Sequence, residues 1–201
     1  MGLVVEKLGK ARVPTEGELK RLLSVTKAGQ HGRRNAAMLA TSYYTGMRAK
    51  EISSLKINHV LDERGKLREE CSLSSSMTKG GRCRDVYFTH QTLRQAFREY
   101  LDERLAEDGN LHPDSSLFKS QQGGRFSPNS MQQLLRRLHD RAGLAGGRSH
   151  SGRRYFCTSL VEHGVDVRAV QVLMGHASVN MTMQYCSDNP VRLRRIVAEL
   201  L

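Results

Sequence analysis

The segment "SHSGRRYFCTSLVEHGVDVRAVQVLMGHASVNMTMQYCSD", residues 149–188, holds the most informative pattern in the chain. His150 and Arg153 lie three positions apart in it, which places them on one face of a helix. Tyr185 follows His176 by nine positions, in a run of otherwise small, polar and thioether side chains. A guanidinium beside an imidazole is unusual in a core and natural for a phosphate site. Tyr185 has two interpretations: it is either a half-buried aromatic residue of the core or a nucleophile.

Helical periodicity dominates most of the chain, including this segment. The stretch "PTEGELKRLLSVT" predicts a helix that begins at Thr15, because Thr15 and Glu18 match a capping box. "RRNAAMLATSYYT" predicts a second helix that ends near Gly46, and "AKEISSL" predicts a short third one. Further helices are predicted in "THQTLRQAFREYLDERLAED", "NSMQQLLRRLHDRAG", "SHSGRRYFCTSLVEHG", "DVRAVQVLMGH" and "PVRLRRIVAELL". The apolar face of the first of these five consists of Leu93, Phe97, Tyr100, Leu101 and Leu105.

Between residues 57 and 88 the pattern changes to a period of two. The stretches "INHVLD", "LREECSLS" and "CRDVYFT" predict three antiparallel strands, with the turn "ERGK" between the first two. The predicted fold class is therefore α+β, mainly α-helical with one small three-stranded antiparallel sheet.

Length and composition indicate one soluble domain. A chain of 201 residues with 38% apolar content can bury a core without disulfides or structural metals. The four cysteines form no CxxC pair, which argues against a zinc ribbon and favours a reducing cytoplasm. The N-terminus is charged too early for a signal peptide, and no stretch approaches the about 18 to 20 apolar residues of a membrane helix. We expect a cytoplasmic protein that has no membrane partner.

The charge favours a polyanionic partner. The net charge is +12 and the pI is near 10.0. Residues 1–60 alone hold eleven Lys and Arg against four Asp and Glu. With only five Phe, no Trp and no aromatic residues interleaved among the basic ones, base stacking on single strands is not expected to be the main binding mode. Duplex nucleic acid, bound through its backbone, is the better expectation.

The sequence lacks the common motifs for nucleotide hydrolysis, hydride transfer and zinc proteolysis. It contains no GxxxxGK[ST], no GxGxxG after a strand, no HExxH and no GxSxG. Two further polar motifs are Arg48 in "TGMRAKEI" and Lys79 in "TKGGR". Alone, each is weak: such an arginine usually faces solvent, such a lysine usually lies at a flexible hairpin tip, and a lone His150 or His176 is usually structural.

Taken together and in this order, the motifs resemble the catalytic domain of the tyrosine recombinase, or phage integrase, family from about Thr15 to Cys186. The arginine motif matches "TGMRAKEI", the lysine of the turn between the second and third strands matches "TKGGR", and the His-x-x-Arg box matches "HSGRRYFCTSL". The Leu-Gly-His box with its tyrosine matches "LMGHASVNMTMQY", with Met174 in place of the leucine. The site residues that the resemblance implies are Arg48, Lys79, His150, Arg153, His176 and Tyr185.

The resemblance implies a site-specific recombinase that cleaves and rejoins duplex DNA through a 3′-phosphotyrosine, for integration, excision or inversion. Tyr185 is then the nucleophile, Arg48 and Arg153 clamp the phosphate, and Lys79 is the general acid. His150 assists proton movement or bonds the phosphate, and His176 donates a hydrogen bond. No metal or other cofactor is expected. The alternatives are a DNA-relaxing enzyme of the type IB topoisomerase kind and a non-catalytic DNA-binding accessory protein.

The expected organisation is a basic tail over 1–13, a catalytic domain over 14–188 and a C-terminal helix over 189–201. The chain is either a minimal recombinase or an excised catalytic domain. The final helix packs on a neighbouring subunit or on its own domain. The expected partners are double-stranded DNA, further copies of the chain (a tetramer on DNA, a monomer or dimer without it) and accessory DNA-bending proteins.

Arg154 is either a further phosphate contact or a surface residue. His163 precedes Gly164 at a helix end, so we expect it to be structural rather than a metal ligand beside His150 and His176.

Overall fold

The computed structural model describes residues 11–78, 80–185 and 197–198. Lys79 and nearly all of the predicted C-terminal helix therefore lie outside the described residues. In chain order the elements are α1 Glu16–Lys27, α2 Gly32–Thr45, α3 Ala49–Ser53, α4 Ile57–Val60, β1 Glu70–Leu73, β2 Arg84–Tyr87, α5 Gln91–Asp108, α6 Pro128–Arg141, α7 Ser151–Glu162, α8 Val167–Met174 and α9 Val179–Met183. In the described ranges, none of these helices is long and apolar enough to cross a membrane.

The ends of the first helices confirm the sequence prediction. The Thr15 hydroxyl accepts from the Glu18 amide, and the Glu18 carboxylate accepts from the Thr15 amide, which completes the capping box of α1. Helix α2 ends at Gly46, which adopts a left-handed conformation with φ of 63°. That conformation strains any residue with a Cβ, so the glycine determines where α2 ends and how the chain turns towards Arg48.

Helix α2 lies at the centre of the main core and packs against α1, α5 and α7. Nearly every residue of α2 is buried, which is the pattern of a helix enclosed on all sides. Around it, Leu22 of α1, Phe97 of α5 and Leu135 of α6 belong to one continuous apolar cluster. Of the predicted α5 stripe, Leu105 is the exception, because it is 49% exposed and lies at the edge of a surface groove.

The predicted three-stranded sheet is wrong in its first strand. The described sheet has two strands, β1 and β2, paired antiparallel with Cys71 opposite Val86. "INHVLD" instead forms α4, because Ile57 and Val60 are spaced to share one face of a helical turn and both are buried. The Ile57 and Asn58 amides donate to the carbonyls of Ser115 and Pro113, so this backbone pairs with a loop. A single bridge between Leu61 and Leu67 is all the strand pairing that the stretch makes within the described residues.

A second, smaller cluster lies beside the main core. It consists of the buried residues Cys157 and Val161 of α7 and Val170 and Met174 of α8. Helix α7 approaches α2 very closely at Gly152, where an added Cβ would lie 2.3 Å from the Ser42 hydroxyl oxygen. A side chain at this position would push α7 away, so the glycine brings the start of α7 against the end of α2.

Candidate active site

Arg48 lies at the start of α3, immediately after the turn at Gly46, and is anchored by a buried carboxylate. Its Nη1 donates to Oε1 of Glu51 at 3.0 Å, and its backbone amide donates to Oε2 at 2.8 Å. Oε2 also accepts from Nη2 of Arg84, on β2, at 2.7 Å. Glu51 is 0% exposed. One carboxylate therefore orients two guanidiniums that come from different elements.

The charge state of Glu51 follows from this environment. Burial alone raises the pKa of a carboxyl group, since it disfavours the charged form. The guanidinium of Arg84, the amide of Arg48 and the guanidinium of Arg48 outweigh that effect and hold the pKa of Glu51 below its usual value. Glu51 is therefore a carboxylate at neutral pH.

Arg153, in the first turn of α7, joins the ends of two helices. Its Nη1 donates to the Gly46 carbonyl at 2.7 Å and its Nη2 donates to the Met174 carbonyl at 2.5 Å. Both carbonyls belong to helix C-termini, where oxygens lack partners within the helix and cations are favoured. Burial, and then the charges of Arg48 and Arg84, lower the pKa of Arg153 to about 9. The residue remains a cation at neutral pH and has more N–H donors than these two bonds use.

His176 follows the left-handed Gly175 that ends α8, and its side chain is buried. Its Nδ1 lies 2.9 Å from the hydroxyl oxygen of Thr182, on α9. Burial, and then the charges of Arg153, Arg48 and Arg84, lower the pKa of His176 to about 4. The imidazole is therefore neutral at neutral pH, in a place where three cations lie close to it.

Tyr185 lies one turn beyond Thr182, with its amide donating to the Thr182 carbonyl at 2.9 Å. Its ring stacks on that of His176, with 6.0 Å between centroids and 11° between planes. The side chain is half-buried and packs against the small cluster of α7 and α8. Its charged form would also interact with Arg153. Tyr185 thus packs at the edge of a core while its ring remains beside the cations.

The structure brings Arg48, Arg153, His176 and Tyr185 together. His150 is exposed at the N-cap of α7, one turn before Arg153. Lys79 lies outside the described residues, but its neighbour is anchored: the Thr78 carbonyl accepts from Nζ of Lys50, on α3, at 3.2 Å. The β1–β2 connection that contains Lys79 therefore begins against the same helix that carries Arg48.

Two charged site residues were missed by sequence reasoning. Glu51 is three positions after Arg48, and that spacing on a short helix is a signal that could have identified it. Arg84 occupies an inward-facing position of β2, where buried and exposed residues alternate. No local sequence pattern indicates that it belongs to the site. It is buried, and its Nη1 donates to the Leu173 carbonyl at 2.7 Å, which ties the sheet to α8.

Other polar residues of the sequence analysis have structural partners. Arg154 donates through Nη1 to the carbonyl of Ala11, so it holds the segment by which the chain enters the domain. His163 lies 2.7 Å, through Nδ1, from the Ser159 carbonyl oxygen. No group of three His, Cys, Asp or Glu suited to a metal ion occurs in the part of the chain that the structure describes.

Comparison with known proteins identifies the family of the chain. The family model described as "Phage integrase family" matches residues 12–192. The chain belongs to the phage integrase family. It is 32% identical over 172 residues to a protein named tyrosine recombinase XerC from Pelobacter propionicus, an alignment that covers 85% of this chain and 53% of that protein. The chain thus spans about half the length of this relative.

Solved structures of recombinases share the fold. The crystal structure of XerA recombinase superposes with a TM-score of 0.74 at 29% identity, covering 94% of this chain and 66% of that one. The XerH site-specific recombinase bound to palindromic difH substrate, in a post-cleavage complex, gives a TM-score of 0.72 at 25% identity, covering 96% of this chain and 54% of that one. The predicted integrase-like fold is confirmed, with a sheet of two described strands rather than three.

Proposed function

We propose that this chain carries the catalytic domain of a site-specific recombinase, which cleaves and rejoins duplex DNA through a 3′-phosphotyrosine at Tyr185. Residues 14–188 form that domain in this proposal. Membership of the phage integrase family supports it, and so does the similarity to recombinases, one of them solved after cleavage of its DNA substrate.

The observation that carries the proposal is the charge imbalance around Tyr185. Arg48 and Arg84 both bond the buried carboxylate of Glu51, whereas Arg153 is held by the carbonyls of Gly46 and Met174. These contacts of the described residues therefore combine three guanidiniums with one carboxylate. A buried charge without a partner costs several kcal/mol, on the order of the whole stability margin of a small domain. A fold that keeps such an excess of cations is built for an anionic ligand, and a DNA phosphate supplies that anion.

The chemistry assigns each group a step. The phenolic oxygen of Tyr185 attacks the phosphorus, a P–O bond to tyrosine forms, and the bond from phosphorus to the sugar 5′-oxygen breaks. Ionising a free phenol of pKa about 10 at pH 7 costs about 4 kcal/mol, so the attack needs a base that takes the proton. His150, exposed beside this site, accepts the phenol proton. The 5′-oxygen leaves as a hydroxyl with a proton from Lys79, the general acid.

Arg48 and Arg153 stabilise the transition state in this proposal. Charge develops on the non-bridging phosphate oxygens, and a planar guanidinium donates to two of them at once. His176, neutral because of its burial and the three arginines, donates one hydrogen bond to the same phosphate without adding charge. Rejoining is the reverse reaction: a 5′-hydroxyl attacks the phosphotyrosine, and the tyrosine regains its proton.

Trapping of a covalent adduct tests the proposal. The full chain is incubated with sheared duplex DNA from its source, denatured with detergent, and the DNA that remains attached to protein is sequenced. A nicked duplex of the recovered sequence then serves as substrate, since the short fragment diffuses away and leaves the adduct. We expect an adduct with the wild type and none with Tyr185→Phe.

Tyr87→Phe is the matched control, because Tyr87 is an exposed tyrosine at the far end of β2. It should form the adduct like the wild type. An adduct that persists in Tyr185→Phe, or none on any DNA fraction, would overturn the proposal. Relaxation of a plasmid without the recovered sequence, and no recombinant products, would point to a topoisomerase instead.

We further propose that the active form is a tetramer on two DNA duplexes, with the helix predicted over 189–201 docking on a neighbouring subunit. Exposed apolar side chains on α8 and α9 support an interface there: Val172 is 63% and Met183 50% exposed. Sedimentation of the chain with and without the recovered duplex tests this. Four chains per two duplexes are expected, and one chain per duplex at saturation contradicts the proposal.

A further inference from the structure

Thr182 contacts both His176 and Tyr185. It is 0% exposed, and its hydroxyl oxygen lies 2.9 Å from Nδ1 of His176. Its carbonyl accepts the amide of Tyr185 at 2.9 Å. One residue of α9 thus contacts both His176, through its side chain, and Tyr185, through its backbone.

The hydrogen bond to His176 can run in either direction, and the direction determines what the opposite ring nitrogen does. A neutral imidazole carries one proton, on Nδ1 or on Nε2. If Thr182 donates, Nδ1 is the acceptor and the proton lies on Nε2. If Thr182 accepts, Nδ1 carries the proton and Nε2 is bare. A bare nitrogen repels a phosphate oxygen, whereas an N–H donates to it.

We propose that Thr182 is a positioning residue for His176: its hydroxyl donates to Nδ1 and keeps the single proton of the ring on Nε2. This inference rests on the proposed function in one respect, namely that a phosphate is the group that Nε2 contacts. It goes beyond that function by assigning the orientation of the imidazole proton to a residue that touches neither the DNA nor the reacting atoms.

The electrostatics of the site explain why a separate donor is needed. Arg153, Arg48 and Arg84 all lie close enough to His176 to disfavour its charged form. Cations also attract the lone pair of a neutral ring, so by themselves they favour a bare nitrogen turned towards them. That arrangement is the wrong one for binding an anion. A hydroxyl that donates to Nδ1 opposes it, as hydrogen-bonding partners of metal-bound histidines do when they determine which nitrogen is protonated.

Nitrogen NMR of the chain labelled with ¹⁵N-histidine tests the inference directly and requires no DNA. His176→Gln identifies the His176 signals by their loss. In the wild type at pH 7 we expect a protonated Nε2 and an unprotonated Nδ1. In Thr182→Val, which keeps the shape and removes the hydroxyl, the Nε2–H form should lose its dominance, and Thr182→Ser should restore it. A proton on Nδ1 in the wild type, or an unchanged tautomer in Thr182→Val, would sink the proposal.

Adduct formation gives the second measurement. We expect Thr182→Val to slow it roughly tenfold, the worth of one hydrogen bond, and Thr182→Ser to stay near the wild-type rate. Thr26→Val is the matched control: Thr26 is buried on α1, and its hydroxyl has no hydrogen-bond partner among the described residues. It should change neither the tautomer nor the rate. A thermal melt of each variant separates misfolding from lost positioning.

The outcomes for the two proposals are distinguishable. A wild type with Nε2 protonated and no adduct on any DNA overturns the proposed function and leaves the positioning role in place. A wild type that forms the adduct while Thr182→Val keeps both rate and tautomer overturns the positioning role alone.

Discussion

The main core and the small cluster of α7 and α8 differ in how firmly they hold the residues attached to them. The main core encloses α2 on all sides and draws on α1, the sheet, α5 and α6. Among the residues that the structure describes, the small cluster buries four side chains, and α9 beyond it exposes Val179, Met181 and Met183 to solvent. Arg48 and Glu51 follow directly from α2, whereas Tyr185 packs on the small cluster.

In the proposed function, this difference separates Arg48 and its partner Glu51 from the nucleophile Tyr185. Regions with few buried apolar contacts open more readily than the core of the same domain. Arg48 and Arg84 are held in place by Glu51 in the absence of any ligand, as the proposed electrostatic stabilisation requires. Tyr185 packs on the smaller cluster, which we expect to open at a lower cost than the main core. Arg153 connects the two regions, since it bonds the carbonyls of Gly46 and Met174.

The largest expected effect comes from the main core. Phe97 is fully buried on α5 and packs edge-on against Phe88 at 5.4 Å. We expect Phe97→Ala to lower the free energy of unfolding by about 4 kcal/mol, through lost burial and the cavity left behind. Urea unfolding followed by circular dichroism measures it. A loss below about 1 kcal/mol would mean that α5 is not part of the stable region.

Glu51→Gln should lower the free energy of unfolding by about 3 kcal/mol, because it removes a buried carboxylate that bonds the partly exposed Arg48 and the buried Arg84. It should also abolish the adduct of Tyr185, since Arg48 and Arg84 then repel each other. Glu99→Gln is the control: Glu99 pairs with Lys27 at the surface, where ion pairs contribute little. Equal unfolding midpoints for the two variants would refute the role of Glu51.

The pH dependence of stability tests His176. Its pKa is about 4 in the folded chain against a usual 6.5, so the unfolded chain takes up the proton first as the pH falls. The contribution of neutral His176 to the free energy of unfolding is complete above pH 6.5. It is lost progressively as the pH falls towards 4, which lowers the free energy of unfolding by on the order of 2 kcal/mol. His176→Gln lacks this contribution, while the other histidines remain in both proteins. Parallel stability curves between pH 7 and 4.5 would contradict the burial of a neutral His176.

Val170→Ala should have the smallest effect on the free energy of unfolding, a loss of about 1.5 kcal/mol for the two methyl groups removed. Its local effect should be large, with faster hydrogen exchange at the amides of α8 and α9 and unchanged exchange in α2 and α5. Leu93→Ala, in the main core, should accelerate exchange everywhere because global unfolding then dominates. If Val170→Ala accelerates hydrogen exchange in α2 as much as in α8, the main core and the small cluster open as one unit, and the proposed difference between them is wrong.

Much of the fold was readable from local patterns. The capping box at Thr15, the glycine at 46 and the periodic stripe of α5 predicted helices that the structure confirms. The strand predicted at "INHVLD" failed because Ile57 and Val60, three positions apart, share one face of a helical turn but would lie on opposite faces of a strand. The backbone of this turn pairs with the loop at Pro113 and Ser115. Short apolar runs leave that choice to tertiary contacts.

The sequence by itself determined which chemical groups are available and their order along the chain: Arg48, Lys79, His150, Arg153, His176 and Tyr185, each marked by close neighbours in a motif. Only the tertiary structure decided that Arg84 shares the carboxylate of Glu51 with Arg48, and that Arg153 bonds the carbonyl of Gly46. The physical reason is distance along the chain. Motifs record contacts between near neighbours, whereas Arg84 and Glu51 are 33 positions apart, and Arg153 and Gly46 are 107 apart. Such pairs meet only once the core has brought their helices and strands together.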